Sequence, residues 1–126
     1  MPVKPQRVVI GHLGNLVDTT VHVHKAICKR GAFVGFDRLG APADTLQVPM
    51  VMALIEAGFA ENLLFSSDLA RSNAIKRNNG PGYAKTLTVF VPKLKTAGAS
   101  DEVVRQIMVD NPRRCLAFVP TKHRPT

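Results

Sequence analysis

The chain alternates three times between a short apolar run and a segment with helical spacing. The apolar runs, rich in Val, Ile, Leu and Phe, occupy residues 7–11, 32–36 and 63–66. Helical spacing follows at residues 16–30 and 45–57, where Gly31 and Gly58 end the pattern and Pro49 places the start of the second helix near itself. Strands that alternate with helices form parallel sheets, so we predict an α/β fold.

The last third of the chain is predicted to be helical after a long polar loop. Residues 68–82 are too rich in Gly, Asn and Pro for a regular element and are typical of a functional loop. Three helices follow, at residues 85–96, 100–109 and from 111 onward. We expect Pro92 to kink the first, Ser100 to cap the second, and Asn111 to cap the third with Pro112 at its first position.

Length and composition predict one globular unit over residues 1–126, with flexible ends at 1–6 and 119–126. No apolar run approaches the roughly 20 residues that span a bilayer, and no leader pattern precedes residue 12, so we expect a cytoplasmic protein without membrane partners. Cys28 and Cys115 lie far apart in apolar, helical contexts. We expect two buried, reduced thiols.

The net charge of +8 raises the question of nucleic-acid binding. Clustered Lys and Arg would gain affinity by releasing phosphate counterions, and binding would then depend steeply on salt. Here the basic residues are scattered singly or in pairs, and the chain has one Tyr and no Trp to stack on bases. We expect no nucleic-acid partner.

Polar side chains follow each predicted strand. His12 comes after the first, Asp37 and Arg38 after the second, and Asp68 after the third. Reacting residues of α/β barrels lie at the carboxyl ends of strands, and imidazole with carboxylate binds divalent metals that activate water. Three strands cannot close such a barrel, which takes eight βα units and about 250 residues.

Five segments carry a resemblance to a known family. They read VIGHLGN, GFDRLG, LIEAGF, LFSSD and DNPRR, at residues 9–15, 35–40, 54–59, 64–68 and 110–114. In order and spacing they resemble the last three βα units of the phosphotriesterases and phosphotriesterase-like lactonases of the amidohydrolase superfamily. The resemblance implies a partial TIM (β/α)8 barrel: three βα units plus C-terminal helices.

The resemblance also implies a hydrolase of organophosphate triesters, lactones or related small-molecule esters, with metal-bound hydroxide as nucleophile. The metal would be zinc-type and binuclear in the complete fold. His12 would ligate the more exposed metal, while Asp68 would ligate the buried metal and accept the proton during attack. Arg38 takes a substrate-binding position that is arginine in the lactonase-like branch.

Two departures from the family affect the mechanism. Asn15 stands where the family has an aspartate that passes the proton onward, and an amide cannot act as a carboxylate base. We therefore keep Asn15, together with Asp37, as candidates for residues that contact a metal ligand and do not bind the metal themselves. The family's other metal ligands, a His-x-His pair, a carboxylated lysine and a further histidine, precede the region matched here. Two protein ligands rarely hold a binuclear site.

Other polar residues are predicted to have no catalytic role. His22 and His24 imitate the His-x-His pair, but two residues apart on a helix they point about 200° apart, and we interpret both as surface residues. Arg113 and Arg114 are interpreted as solvated helix residues, and His123 as part of a mobile tail. The loop at 69–83 matches a variable loop of the family and receives no role.

A second hypothesis makes the chain a non-catalytic protein. Its open sheet edges would be covered by self-association or by docking on an N-terminal partner chain, and it would bind no metal. A partner that supplied the missing ligands would instead give activity only on mixing.

Overall fold

The computed structural model describes residues 3–40 and 42–118. Three parallel strands form one sheet in the order β1 (Val9–Ile10), β2 (Phe33–Phe36) and β3 (Leu63–Phe65). Val34 pairs with Ile10 on one side and with Leu63 on the other. The predicted α/β class and the three parallel strands are confirmed.

Five α-helices accompany the sheet in the described part of the chain. They are α1 (His22–Lys29), α2 (Asp44–Glu56), α3 (Val91–Thr96), α4 (Asp101–Arg105) and α5 (Asn111–Leu116). The core lies between these helices and one face of the sheet, where Val34, Phe36 and Leu63 are fully buried. On the other face, Val9 and Leu64 line an open cleft of about 330 Å³ beside α5.

Helix α1 begins six residues later than predicted. The Asp18 carboxylate accepts hydrogen bonds from the Thr20 hydroxyl (2.7 Å), the Thr20 N–H (2.9 Å) and the His22 N–H (3.1 Å). These bonds, first the one from the Thr20 hydroxyl, lower the pKa of Asp18. Asp18 therefore organises a turn that ends in a left-handed Val21, and the helical spacing upstream of it is not used.

Helix α2 runs from Asp44 to Glu56, so the predicted range 45–57 is confirmed to within one residue, and the inference that Pro49 places the start near itself is wrong. Pro49 lacks the N–H that would bond to the carbonyl of Thr45, and its ring crowds that carbonyl. The helix tolerates this loss because Met50, Val51 and Leu54 are buried in the core just beyond the proline.

Pro92 and Pro112 each follow a wide π-helical turn. Thr86–Phe90 precedes Pro92, and Gln106–Asp110 precedes Pro112. A π turn shifts the hydrogen-bonding register, so the missing proline N–H causes no break. The chain is helical without interruption from α4 through the π-helical turn Gln106–Asp110 to the end of α5. The predicted cap at Asn111 is therefore wrong, because this residue has helical φ and ψ angles of −66° and −49°.

The other predicted cap in this region is confirmed. Ser100 precedes α4, and its Oγ accepts the N–H of Val103 at 3.2 Å. This bond satisfies one of the free N–H groups at the start of the helix. Asp101 and Glu102 occupy the first turn of the helix.

Asn111 joins the last helix to the end of the sheet. Its buried Nδ2 donates to the carbonyls of Ala60 (2.7 Å) and Leu63 (2.8 Å). Arg114 donates to Asn111 Oδ1 at 3.0 Å, and its guanidinium carbon lies 5.4 Å from the centre of the Phe33 ring. Arg113 and Arg114 are both exposed, as the sequence-based interpretation predicted, but Arg114 also makes these structural contacts.

Replacing Asn111 with Leu is expected to lower the free energy of unfolding by about 2 kcal/mol, because two carbonyls lose their donor. Urea denaturation followed by circular dichroism measures the loss. The control, Asn73→Leu, changes an exposed residue and should stay within about 0.5 kcal/mol of the unmodified chain. Equal effects of the two substitutions would contradict this role of Asn111.

Both cysteines are free thiols, as predicted, but only Cys28 is buried; Cys115 is half-buried. Burial raises the pKa of the Cys28 thiol to about 11. No helix in the described ranges combines the length and apolar character that crossing a membrane requires. His123 and the predicted flexible residues 1–2 and 119–126 lie outside the described residues, and flexibility of the two ends stays a prediction.

Candidate metal site

The predicted site residues lie at the carboxyl-end edge of the sheet. His12 follows β1 by two residues, Asp37 and Arg38 come directly after β2, and Asp68 follows β3 by three. The parallel order of the strands brings these positions to one edge. The side chains meet in two pairs, His12 with Asp37 and Arg38 with Asp68.

His12 is held by Asp37 through both its backbone and its ring. Its Nδ1 lies 2.8 Å from Oδ2 and 2.9 Å from Oδ1 of Asp37, and its N–H donates to Oδ2 at 2.9 Å. An ionised carboxylate only accepts, so Nδ1 carries the proton and Nε2 of the neutral ring keeps its lone pair. The His12 side chain is 71% exposed. Metal-ligating histidines show this arrangement, with a carboxylate behind the ring.

The partnership with Asp37 predicts how His12 titrates. The hydrogen bond that the His12 ring donates to Asp37, and then the negative charge of Asp37, raise the pKa of His12. We expect an NMR titration midpoint for His12 above the usual histidine value of about 6.5, and a lower midpoint in Asp37→Asn. The folded state is stabilised by this pair below the usual pKa and loses that stabilisation as the pH rises through the raised pKa.

The matched control for this titration is Asp101→Asn, which removes an exposed carboxylate from α4. It should leave the His12 midpoint unchanged. A midpoint for His12 that is the same in Asp37→Asn and in the unmodified chain would show that Asp37 does not set the protonation of the ring.

The backbone at both predicted metal ligands adopts the left-handed region. The φ angle is 59° at His12 and 46° at Asp68, and only two other non-glycine residues in the described ranges have positive φ. Such conformations are uncommon for non-glycine residues and concentrate at functional sites. Gly11 contributes to the geometry, because a Cβ there would lie 2.9 Å from Asp37 Oδ2.

Arg38 and Asp68 form a loose, solvent-exposed pair. Arg38 Nε lies 3.5 Å from Asp68 Oδ2, and the side chains are 58% and 45% exposed. Exposed pairs of this kind contribute between zero and about 1 kcal/mol to stability. Both groups can therefore change partner when a ligand arrives.

Among the described residues, neither Asn15 nor the loop at 69–83 forms a hydrogen bond or ion pair with Arg38 or Asp68. Asn15 donates its N–H to the carbonyl of His12 at 3.0 Å, and its side chain makes no hydrogen bond within residues 3–40 and 42–118. The loop at 69–83 contains two 3₁₀ turns, Ser72–Ala74 and Lys76–Asn78. Its compactness comes from backbone bonds such as Gly82 N–H to Ala74 O at 2.8 Å.

The donors present fit part of a metal site. A free imidazole nitrogen on His12 and a half-exposed carboxylate on Asp68 are ligands that zinc and similar ions accept. No group of three or more His, Cys, Asp or Glu side chains that could hold an ion occurs among the described residues. A complete site therefore needs further ligands from elsewhere.

One functional candidate escaped the sequence-based interpretation. His22 is exposed as predicted, but His24 is fully buried, so its interpretation as a surface residue is wrong. The ring stacks on Phe36 with centroids 5.8 Å apart. The spacing of Val21, His24 and Cys28, which all face the core, is the helical signal that could have identified it.

Comparisons of sequence and structure with known proteins point to one family. The Phosphotriesterase family profile matches residues 3–116. The phosphotriesterase homology protein of Escherichia coli is 34% identical over 109 residues, which are 84% of this chain and 37% of that protein. The N-acetyltaurine hydrolase of Dictyostelium discoideum is 28% identical over 129 residues, which are 90% of this chain and 34% of that protein.

Among solved structures, a lactonase from Listeria monocytogenes superposes with a TM-score of 0.81 at 29% identity. The match covers 94% of this chain and 38% of the lactonase. The chain thus spans little more than a third of the length of these relatives. Because the family profile matches nearly all of its residues, the chain belongs to the Phosphotriesterase family.

Proposed function

We propose that this chain forms the last three βα units of a TIM barrel in a metal-dependent hydrolase of esters, lactones or phosphotriesters. The observation that carries the proposal is the His12–Asp37 pair, which presents a free imidazole nitrogen at the same sheet edge as Asp68. Family membership supports the hydrolase assignment.

The site would hold a divalent metal, zinc by preference and binuclear in the complete fold. His12 Nε2 and the Asp68 carboxylate would be two of its ligands. Strands of the complete barrel other than β1, β2 and β3 would supply the other ligands. When bound, a divalent metal lowers the pKa of water and polarises the oxygen of a C=O or P=O group.

The residues of this chain would divide the remaining work. Asp37 holds the tautomer of His12 that leaves Nε2 available. Asp68 accepts the proton released by the attacking water, because an ionised carboxylate is a competent base at neutral pH. Arg38, which lies 3.5 Å from Asp68, donates to a substrate oxygen and orients the reacting group. Asn15 would leave the onward path of the proton weaker than an aspartate would.

The relatives and Arg38 support a choice of substrate class. The relatives include a lactonase. By the family resemblance, Arg38 would stand at a substrate-binding position that is arginine in the lactonase-like branch. We therefore place lactones first and phosphotriesters second. An N-acetyltaurine hydrolase among the relatives extends the range of scissile bonds to amides.

The open side of the sheet supports a partial barrel. Within residues 3–40 and 42–118, no strand pairs with the outer edge of β1, and Val9 and Ile10 are exposed there. Together with the apolar cleft beside Leu64 and α5, this edge is where neighbouring strands of a complete barrel would pack. Neither self-association nor a separate partner chain is needed if those strands belong to the same protein.

Metal dependence tests the proposal. The protein that contains this chain together with the remaining ligands should lose hydrolysis of a lactone and of a paraoxon-type triester after chelation, and recover it with zinc. A heat-inactivated sample with the same zinc concentration is the control. Hydrolysis that persists in the metal-free protein would contradict the proposed chemistry.

A further inference from the structure

Two buried polar side chains extend from the hydrophobic core to the loops of the proposed metal site. His24 comes from α1 and is fully buried, and Gln47 comes from α2 and is nearly so. Each contacts a backbone carbonyl in one of the two loops that carry the proposed site residues. The loops are the segment after β1, with His12, and the segment after β2, with Arg38.

His24 holds the residue that follows His12. Its Nε2 lies 2.8 Å from the carbonyl oxygen of Leu13. A carbonyl only accepts, so Nε2 carries the proton, and Nδ1 becomes an acceptor that has no partner among the described atoms. The N–H of Leu13 donates to Gly35 O at 3.2 Å, so this peptide segment is held at both its donor and its acceptor.

Gln47 links both loops. Its Nε2 donates to the carbonyl of Arg38 at 3.4 Å, which fixes the amide orientation because the carbonyl cannot donate. Its Oε1 lies against Gly14 so closely that a Cβ at that position would be 2.0 Å away. Gln47 therefore braces the first loop by contact and the second by a hydrogen bond.

Packing alone gives no reason for polar groups at these positions. Each side chain leaves one buried acceptor without a hydrogen-bond partner in the described structure, and the desolvation of that acceptor lowers stability. What distinguishes them is where their satisfied atoms point, namely at the backbone beside His12 and at Arg38.

We propose that His24 and Gln47 are positioning residues: they fix the loops that follow β1 and β2, and thereby the placement of His12 relative to Arg38. The functional meaning of this placement rests on the proposed function. The bracing itself is a property of the isolated chain and is measurable without metal or substrate.

Amide hydrogen exchange by NMR tests the proposal on the 126-residue chain. In His24→Leu, exchange at the amides of Leu13 and Asn15 should accelerate by at least about tenfold relative to the β2 core amides. In Gln47→Met the same selective acceleration should appear at Leu39, whose N–H donates to Ser66 O at 3.1 Å. His24→Gln, which restores a donor, should recover most of the protection at Leu13.

Thr86→Val is the matched control, because Thr86 carries a buried hydroxyl without a partner in the described structure and touches neither loop carbonyl. It should leave the ratio of loop to core exchange rates unchanged. Uniform acceleration of loop and core amides in His24→Leu, or no recovery in His24→Gln, would show a purely structural role and overturn the proposal. Failure of the metal assays with selective exchange would contradict the proposed function and leave the bracing intact.

Discussion

Replacing Asp68 with Asn is expected to lower hydrolysis by the complete enzyme by at least about 10²-fold, the smallest contribution usual for a positioned general base. An amide carries no charge for a metal and accepts no proton at neutral pH. The fold should survive, because Asn tolerates the positive φ of 46° at this position. Loss of the exposed pair with Arg38 affects stability little.

The matched control is Asp101→Asn, which removes a carboxylate that is exposed on α4 and belongs to another ion pair. Its turnover should equal that of the unmodified enzyme. Steady-state assays and metal content are measured on the same samples, so that loss of metal is distinguished from loss of the proton acceptor. Full turnover in Asp68→Asn would contradict the role given to Asp68.

Replacing Lys93 with Met should lower the free energy of unfolding by about 3 kcal/mol, the scale of breaking a buried ion pair. Lys93 Nζ lies 2.7 Å from Oδ2 of Asp44, whose side chain is 0% exposed. The same carboxylate accepts the N–H of Gly40 at 2.9 Å. Removing the lysine takes away the cation that lies beside this buried carboxylate and is expected to loosen the loop that carries Arg38.

Lys95→Met on the same helix is the control for this effect. Both lysine side chains are 47% exposed, but Asp101, the partner of Lys95, is 83% exposed. Its loss should change stability by no more than about 1 kcal/mol. Equal losses in the two variants, measured by urea denaturation, would show that burial of the acid is not what matters.

The three parallel strands were predictable because three apolar runs alternate with segments of helical spacing. The start of α1 was not, because the side-chain bonds of Asp18 outweigh the apolar pattern upstream of it. Nor was the continuous helix through Asn111, because that amide finds its partners about 50 residues away, at Ala60 and Leu63. Such distant contacts leave no local signal.

The candidate site was likewise predictable only in part. The rule that reacting groups follow parallel strands predicted a common edge for His12, Arg38 and Asp68. The pairing of His12 with Asp37 depends on register and on the absence of a side chain at Gly11, which residue types alone do not give. The chemical roles came from the family resemblance and stay predictions.

The most direct measurement of the central claim is a titration of the chain with Mn²⁺ followed by amide and imidazole NMR signals. Paramagnetic broadening marks the residues nearest the ion. If His12 and Asp68 form part of a metal site, broadening will centre on these two residues at millimolar metal and will weaken strongly in Asp68→Asn. Broadening that centres on other residues, or that is identical in the variant, would contradict the claim.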